Sequence, residues 1–166
     1  MGLLAACWLA VAVPGYAQPS AGARRSRGAA IEVTTGANVV VDDGFAYDAL
    51  VGGGARFYLL PRVSIGPELT YIPSPGGIHD FQAFGTVTFD LLVSNVRRQV
   101  RITPFFVLGG GVRRFDDGEF VESSGGIAAG VGLRWLATDR VHVAAEFGVR
   151  ADRGRIAVTA GVRLGQ

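Results

Sequence analysis

The feature that most restricts this chain is an alternation of apolar with polar or glycine residues at a period of two, recurring in eight segments after residue 28. Val141, Val143, Ala145, Phe147 and Val149 oppose His142, Ala144, Glu146, Gly148 and Arg150. Ile156, Val158, Ala160, Val162 and Leu164 oppose Arg155, Ala157, Thr159, Gly161 and Arg163. The same pattern runs through Ile31–Val39, Val51–Leu59, Val63–Tyr71, Gln82–Leu91, Val100–Arg113 and Ala128–Trp135. Successive side chains of a strand point to opposite faces, so each segment reads as a strand with one apolar and one polar face. No stretch after residue 28 sustains a helical period. Each segment is about 10 residues, within the 9–11 that cross a bilayer at a tilt. Pro67 and Pro104 fall inside segments, where a missing ladder donor predicts a bulge or local break.

The connections alternate in length. Leu60-Pro61-Arg62 and Ala137-Thr138-Asp139-Arg140 read as tight turns, with Ser94–Gln99 somewhat longer. The opposite set is Asp42–Asp48, Pro73–Asp80, Phe115–Ser124 and Asp152-Arg153-Gly154. Short turns on one side and longer loops on the other are the habit of transmembrane barrels, and an even strand number returns both termini to one side.

Eight such strands fit two architectures: a soluble barrel with the apolar phase inward, or a membrane barrel with it outward. Glycine separates them. The chain has 25 glycines, and Gly36, Gly52, Gly54, Gly66, Gly109, Gly111, Gly130, Gly132, Gly148 and Gly161 share the polar phase with the charged residues. Inside a narrow barrel a missing side chain makes room for long neighbours, whereas on a wetted face it only weakens the strand. Trp135, Phe57 and Tyr71 fall near segment ends, as an interfacial girdle requires. The expected fold is therefore an all-β, eight-stranded, antiparallel up-and-down transmembrane barrel following a signal peptide.

That orientation assigns Glu32, Arg56, Glu68, Asp90, Arg101, Arg113, Arg134, His142, Glu146, Arg150, Arg155 and Arg163 to the lumen. Val63, Ile65, Leu69, Phe89, Phe106, Leu133, Trp135, Phe147, Val158 and Val162 are assigned to the lipid face. Confined charges must pair, because an isolated buried charge is costly. An Arg–carboxylate network plugging the lumen follows, with no wide pore, since eight strands enclose little more than their own side chains.

Residues 1–17 read as a signal peptide. Gly2–Val13 is apolar but short of the ~20 residues of a spanning helix, and Gly15 and Ala17 stand where a peptidase expects small residues. Cys7, in a lipobox-like Leu4-Ala5-Ala6-Cys7, reads as part of that apolar run. Residues 18–28, with Arg24-Arg25-Ser26-Arg27, form an arm, and residues 29–166 the barrel.

Thr103-Pro104-Phe105-Phe106-Val107-Leu108-Gly109-Gly110-Gly111 resembles a strand typical of small outer-membrane barrel domains. The run Gly130–Val141 on to Glu146-Phe147, and Gly52–Val63 on to Glu68-Leu69-Thr70-Tyr71, resemble their repeated hairpin. The resemblance, to OmpA-like or OmpX-like barrels, covers about residues 29 to 166. It implies a bacterial outer-membrane location, outer-membrane lipids as surroundings, a monomer, and the barrel-assembly machinery as a partner during insertion. Such chains usually end on an aromatic residue. This one ends Leu164-Gly165-Gln166, with Gly161, Val162 and Leu164 still similar to the terminal signal.

Other functions find little support. The 16 basic residues, all arginine, face 14 acids, net +2, and no basic stripe suits nucleic acid. One cysteine and two histidines make neither a disulfide nor a conventional zinc cluster, so no metal site and no cofactor are expected. His142 and Glu146 lie about 13 Å apart along one strand, too far for a dyad. Ser74, His79 and Asp80 read as turn formers, and the acidic tip Asp116, Asp117, Glu119 and Glu122 as a solvated loop. No enzymatic activity is expected. The expected role is structural or surface-interacting; the alternatives are a narrow gated channel for ions or small solutes, and an exported soluble barrel binding an apolar ligand.

Overall fold

The computed structural model describes residues 28–41, 45–74, 78–92 and 101–164. The signal-peptide and arm assignments (Gly28 apart), the Ser94–Gln99 turn and the last two residues lie outside these. Eight strands form one closed sheet: β1 Ala29–Val41, β2 Phe45–Leu60, β3 Val63–Ser74, β4 Ile78–Asp90, β5 Ile102–Asp116, β6 Val121–Leu136, β7 Val141–Arg150 and β8 Arg153–Leu164. Each strand pairs antiparallel with the next, and β8 closes on β1 from Ala29↔Leu164 to Val39↔Gly154. Closure leaves no edge strand with unpaired backbone groups.

The barrel inverts the usual distribution of side chains. Arg134, Arg150, Arg155 and His142 are 0–2% exposed, whereas Phe147, Leu69 and Val131 on the outer face are 60–64% exposed. Parity decides which is which. Even-numbered residues of β1 to β4 and of β6 and β7 face inward, as do odd-numbered residues of β5 and β8. Among the described strand residues, Arg114 and Asp116 of β5 are the only charged side chains on the outward phase.

Several strands run past the expected bounds. β2 begins at Phe45, β4 at Ile78, and β5 and β6 continue until only residues 117–120 separate them. The expected loops Asp42–Asp48, Pro73–Asp80 and Phe115–Ser124 are correspondingly shorter, and the last turn is Ala151-Asp152, with β8 already under way at Arg153. The reason is physical: near the loops polar and apolar side chains mix on each face, as in Ile78–Phe81 and Arg113–Asp116, so hydropathy loses its period of two while the hydrogen-bonded ladder continues. Glu119 and Phe120 donate backbone N–H bonds to Asp117 Oδ1 at 3.0 and 2.7 Å, and Gly118 (φ 87°) donates to Asp116 Oδ1. These bonds hold the exposed Asp117 carboxyl below its usual pKa.

The prolines behave differently from each other. At Pro67 the β2–β3 pairing lapses between Gly54↔Glu68 and Phe57↔Ile65 and resumes in the same register, while the one register shift falls near the turn, between Tyr58 and Leu60. Pro104 breaks neither ladder, contrary to expectation. Its carbonyl accepts from Leu91, just past the end of β4. A strand residue directs its N and O to the same neighbour, so the missing donor falls at the final rung.

Candidate functional site

The inward side chains form a sequence of ion-paired layers along the barrel axis. At the end where β1 begins and β8 ends, beside the Pro61-Arg62 turn, the Arg163 guanidinium lies 4.9 Å from the Tyr58 ring centroid. Beside it Arg134 Nη1 donates to both oxygens of Asp90 at 2.6 and 2.7 Å and stacks over Phe105 at 4.9 Å. Gly132 permits that stacking, since a Cβ there would come within 2.5 Å of Phe105 Cζ.

The next layer centres on Glu32. Arg56 donates from Nε and Nη2 to its two oxygens at 2.8 and 2.9 Å, a bidentate fork. His142 Nε2 lies 2.9 Å from Glu32 Oε1. The remaining Arg56 nitrogen reaches Thr88 Oγ1 and, at 3.5 Å, Ser64 Oγ. Gly161 makes room for the imidazole: a Cβ there would stand 2.3 Å from His142 Cε1.

Above this, Glu68 accepts from Arg155 and, at 3.2 Å, from Arg150, which also donates to Glu146 at 2.7 Å. Two carboxylates and two guanidiniums thus meet in one neutral cluster. Toward the loops Arg113 donates to Asp80 at 2.8 Å and to Asp152 at 3.2 Å, and Arg153 lies 3.5 Å from Asp80 and 3.7 Å from Asp48. Above these layers the barrel opens into a vestibule of about 660 Å³ beside Arg113, Glu122 and Arg153. The cavity left among Glu32, Arg56, Glu68, Glu146 and Arg155 measures about 20 Å³. That is space for one water and too little for a hydrated ion.

Eleven of the twelve residues assigned to the lumen therefore join these layers. Arg101 does not: it precedes β5 and is exposed, because the strand begins two residues later than the alternation suggests. His142 and Glu146 pair with different partners. Of the assigned outer-face residues, Val63, Phe89 and Phe106 are half-buried, with Phe89 stacked on Phe106 at 4.8 Å, and Ile65, Leu69, Leu133, Trp135, Phe147, Val158 and Val162 are exposed.

The sequence reading missed Asp48, Asp80, Asp152 and Arg153, which it placed in loops. Extending the inward parity of β4 from Gln82 back to Asp80, and of β8 from Arg155 back to Arg153, would have found two of them. Ser74, His79 and Asp80 form no constellation through their last two members. His79 points outward, its Nδ1 2.7 Å from the Tyr71 hydroxyl, while Asp80 is buried inside. Among the described residues no group of three or more His, Cys, Asp or Glu could hold a metal ion.

No family model and no curated protein matches the chain. Solved structures do match its fold. The N-terminal β-barrel domain of Pseudomonas aeruginosa OprF superposes with a TM-score of 0.66 at 12% identity, covering 85% of this chain and 100% of that one. Neisserial surface protein A gives 0.59 at 14% identity, over 85% and 98%. Ail, the attachment invasion locus protein of Yersinia pestis, gives 0.54 at 15%, over 82% and 98%. At such identities the likeness is one of fold, and a fold does not carry a function.

Proposed function

From the fold of the small OmpA-like eight-stranded outer-membrane barrels, we propose that this chain is an integral protein of the bacterial outer membrane, with a structural or surface-interacting role and a lumen sealed by its Arg–carboxylate layers. The observation that carries this reading is the outer face. Around the closed sheet the described outward side chains are apolar or small apart from a few near the loops, with Arg114 and Asp116 the only charges. In water that face would expose Ile31, Leu69, Val131, Phe147 and their neighbours as one continuous apolar belt, far beyond what a soluble monomer tolerates. In a bilayer the same belt is the required surface. The closed ladder adds support, because it leaves no open sheet edge to be satisfied by lipid.

On this reading residues 1–17 direct export and are removed, the assembly machinery inserts the chain, and it remains a monomer among outer-membrane lipids. The test is electrophoretic. The chain from residue 18, refolded into detergent micelles, is expected to run faster unboiled than boiled on a cold SDS gel, and to fractionate with outer membranes when expressed with its own N-terminus. Solubility in plain buffer with no mobility shift would overturn the reading in favour of a soluble barrel.

A further inference from the structure

The lumen accounts for the inward glycines and for almost all the strand charges, but not for Arg114 or for a depression on the outer face beneath it. Two neighbouring rows of cross-strand partners define that depression. One runs Gly53↔Leu69↔Ala83↔Val112 across β2 to β5. Small residues alternate with large ones there, so Ala83 forms a low point between Leu69 and Val112. The row nearer the loops runs Tyr71↔Phe81↔Arg114, with the two rings 4.8 Å apart. Together they enclose a groove of about 440 Å³, within the roughly 300–1,000 Å³ of ligand sites. Its surface is largely apolar: Thr70 and Gln82 in its floor are buried inward, the Tyr71 hydroxyl is held by His79, and Arg114 lines one end.

Arg114 has no carboxylate partner among the described residues; Asp116, two residues on, accepts the Gly118 amide. An arginine at the loop end of this largely apolar outer face, beside the outward Asp116, stands where a membrane's headgroups begin. A guanidinium recognises phosphate through paired N–H donors, and a groove of largely apolar surface recognises hydrocarbon. We propose that this groove is a site for an anionic, phosphate-bearing lipid, with an acyl chain lying over Ala83 between Leu69 and Val112 and the phosphate on Arg114. The inference rests on the membrane-barrel reading above. It differs from general solvation by lipid in demanding one position and one headgroup charge.

The test uses the chain from residue 18 refolded in neutral maltoside micelles, mixed with equal amounts of dioleoyl phosphatidylglycerol and dioleoyl phosphatidylcholine, with retained lipid counted by native mass spectrometry. One phosphatidylglycerol is expected to be retained about fivefold over phosphatidylcholine, the ratio given by one arginine near an anionic surface. Arg114→Gln is expected to abolish that preference. Ala83→Phe, which fills the groove and leaves the arginine, is expected to reduce retention of both lipids. No headgroup preference in the wild type, or a preference that survives Arg114→Gln, overturns the proposal; retention unchanged by Ala83→Phe overturns the groove. The cold-gel mobility shift is recorded for every sample. A shift without lipid preference refutes this site alone, and absence of a shift in the wild type refutes the membrane barrel and the site with it.

Discussion

The Glu32 layer allows a quantitative test of the sealed lumen. Glu32→Gln keeps the side-chain volume and removes the only carboxylate among the described residues that Arg56 and His142 contact directly. Arg56 is then a buried cation, its side chain 16% exposed, retaining Thr88 and Ser64 as neutral partners. Removing one partner of a buried pair costs about 3–5 kcal/mol. The two surviving hydroxyl contacts, and the oxygen of the new amide, place the expected loss near the lower end, at ~3 kcal/mol.

Arg56→Met removes the cation instead and leaves Glu32 hydrogen-bonded to His142 Nε2. The expected cost is accordingly smaller, about 1–2 kcal/mol. With both substitutions no uncompensated charge remains, so the double variant is expected to lie closer to the wild type than Glu32→Gln does. The assay is equilibrium urea unfolding in phosphatidylcholine vesicles. It is read by cold-gel mobility and by Trp135, which stands on the outer face and is the only tryptophan after residue 18. If Glu32→Gln costs under ~1 kcal/mol, or if the two single effects add, the pair is not the coupled buried unit argued above.

Other consequences are more compact. Gly66→Ala is expected to prevent folding, since a Cβ there would stand 1.7 Å from the Ala55 carbonyl oxygen; Gly85→Ala meets nothing nearer than 3.9 Å and is expected to fold with stability equal to the wild type or up to ~1 kcal/mol higher. Cold-gel mobility separates the two. The Asp117 carboxyl is held below its usual value by the Phe120 and Glu119 amides. Its contribution to loop order is therefore fully present above the ordinary aspartate pKa of about 4 and lost as pH falls through the lowered value. Amide shifts of Glu119 and Phe120 followed by NMR are expected to titrate with a midpoint below that pKa, and an unchanged or higher midpoint refutes the capping role. In planar bilayers the purified chain is expected to give no discrete conductance steps, because the space between Glu32, Glu68 and Arg155 is about 20 Å³; regular steps would refute a sealed lumen.

The wall of this barrel was legible from alternation, but the contents of its lumen were legible only as a set of charges. Parity alone says that Glu32, Arg56, Glu68, Arg134 and His142 share an interior, because each is inward by its position within its own strand. It does not say who meets whom. Glu32 and His142 are 110 positions apart and meet because β8 lies between their strands with only Gly161 in the way. Glu68 meets Arg150 and Arg155 across the lumen, not along a ladder. Such pairings depend on the registers of all the hairpins together and on closure of the sheet, which no single spacing encodes. The turns erred for the opposite reason. Near the loops the apolar belt ends, the hydropathy signal falls away, and the backbone pairing that carries Asp48, Asp80 and Arg153 inward leaves only parity as a trace. Arg114 lies at that boundary. It continues the outward phase of β5 beyond Val112, where the alternation still fixes its direction but its neighbours on β4 are set by register alone. A charge whose direction is legible and whose company is not gives the sequence no means of telling a solvated arginine from a lipid ligand, and the Ala83 depression beside it is what separates the two.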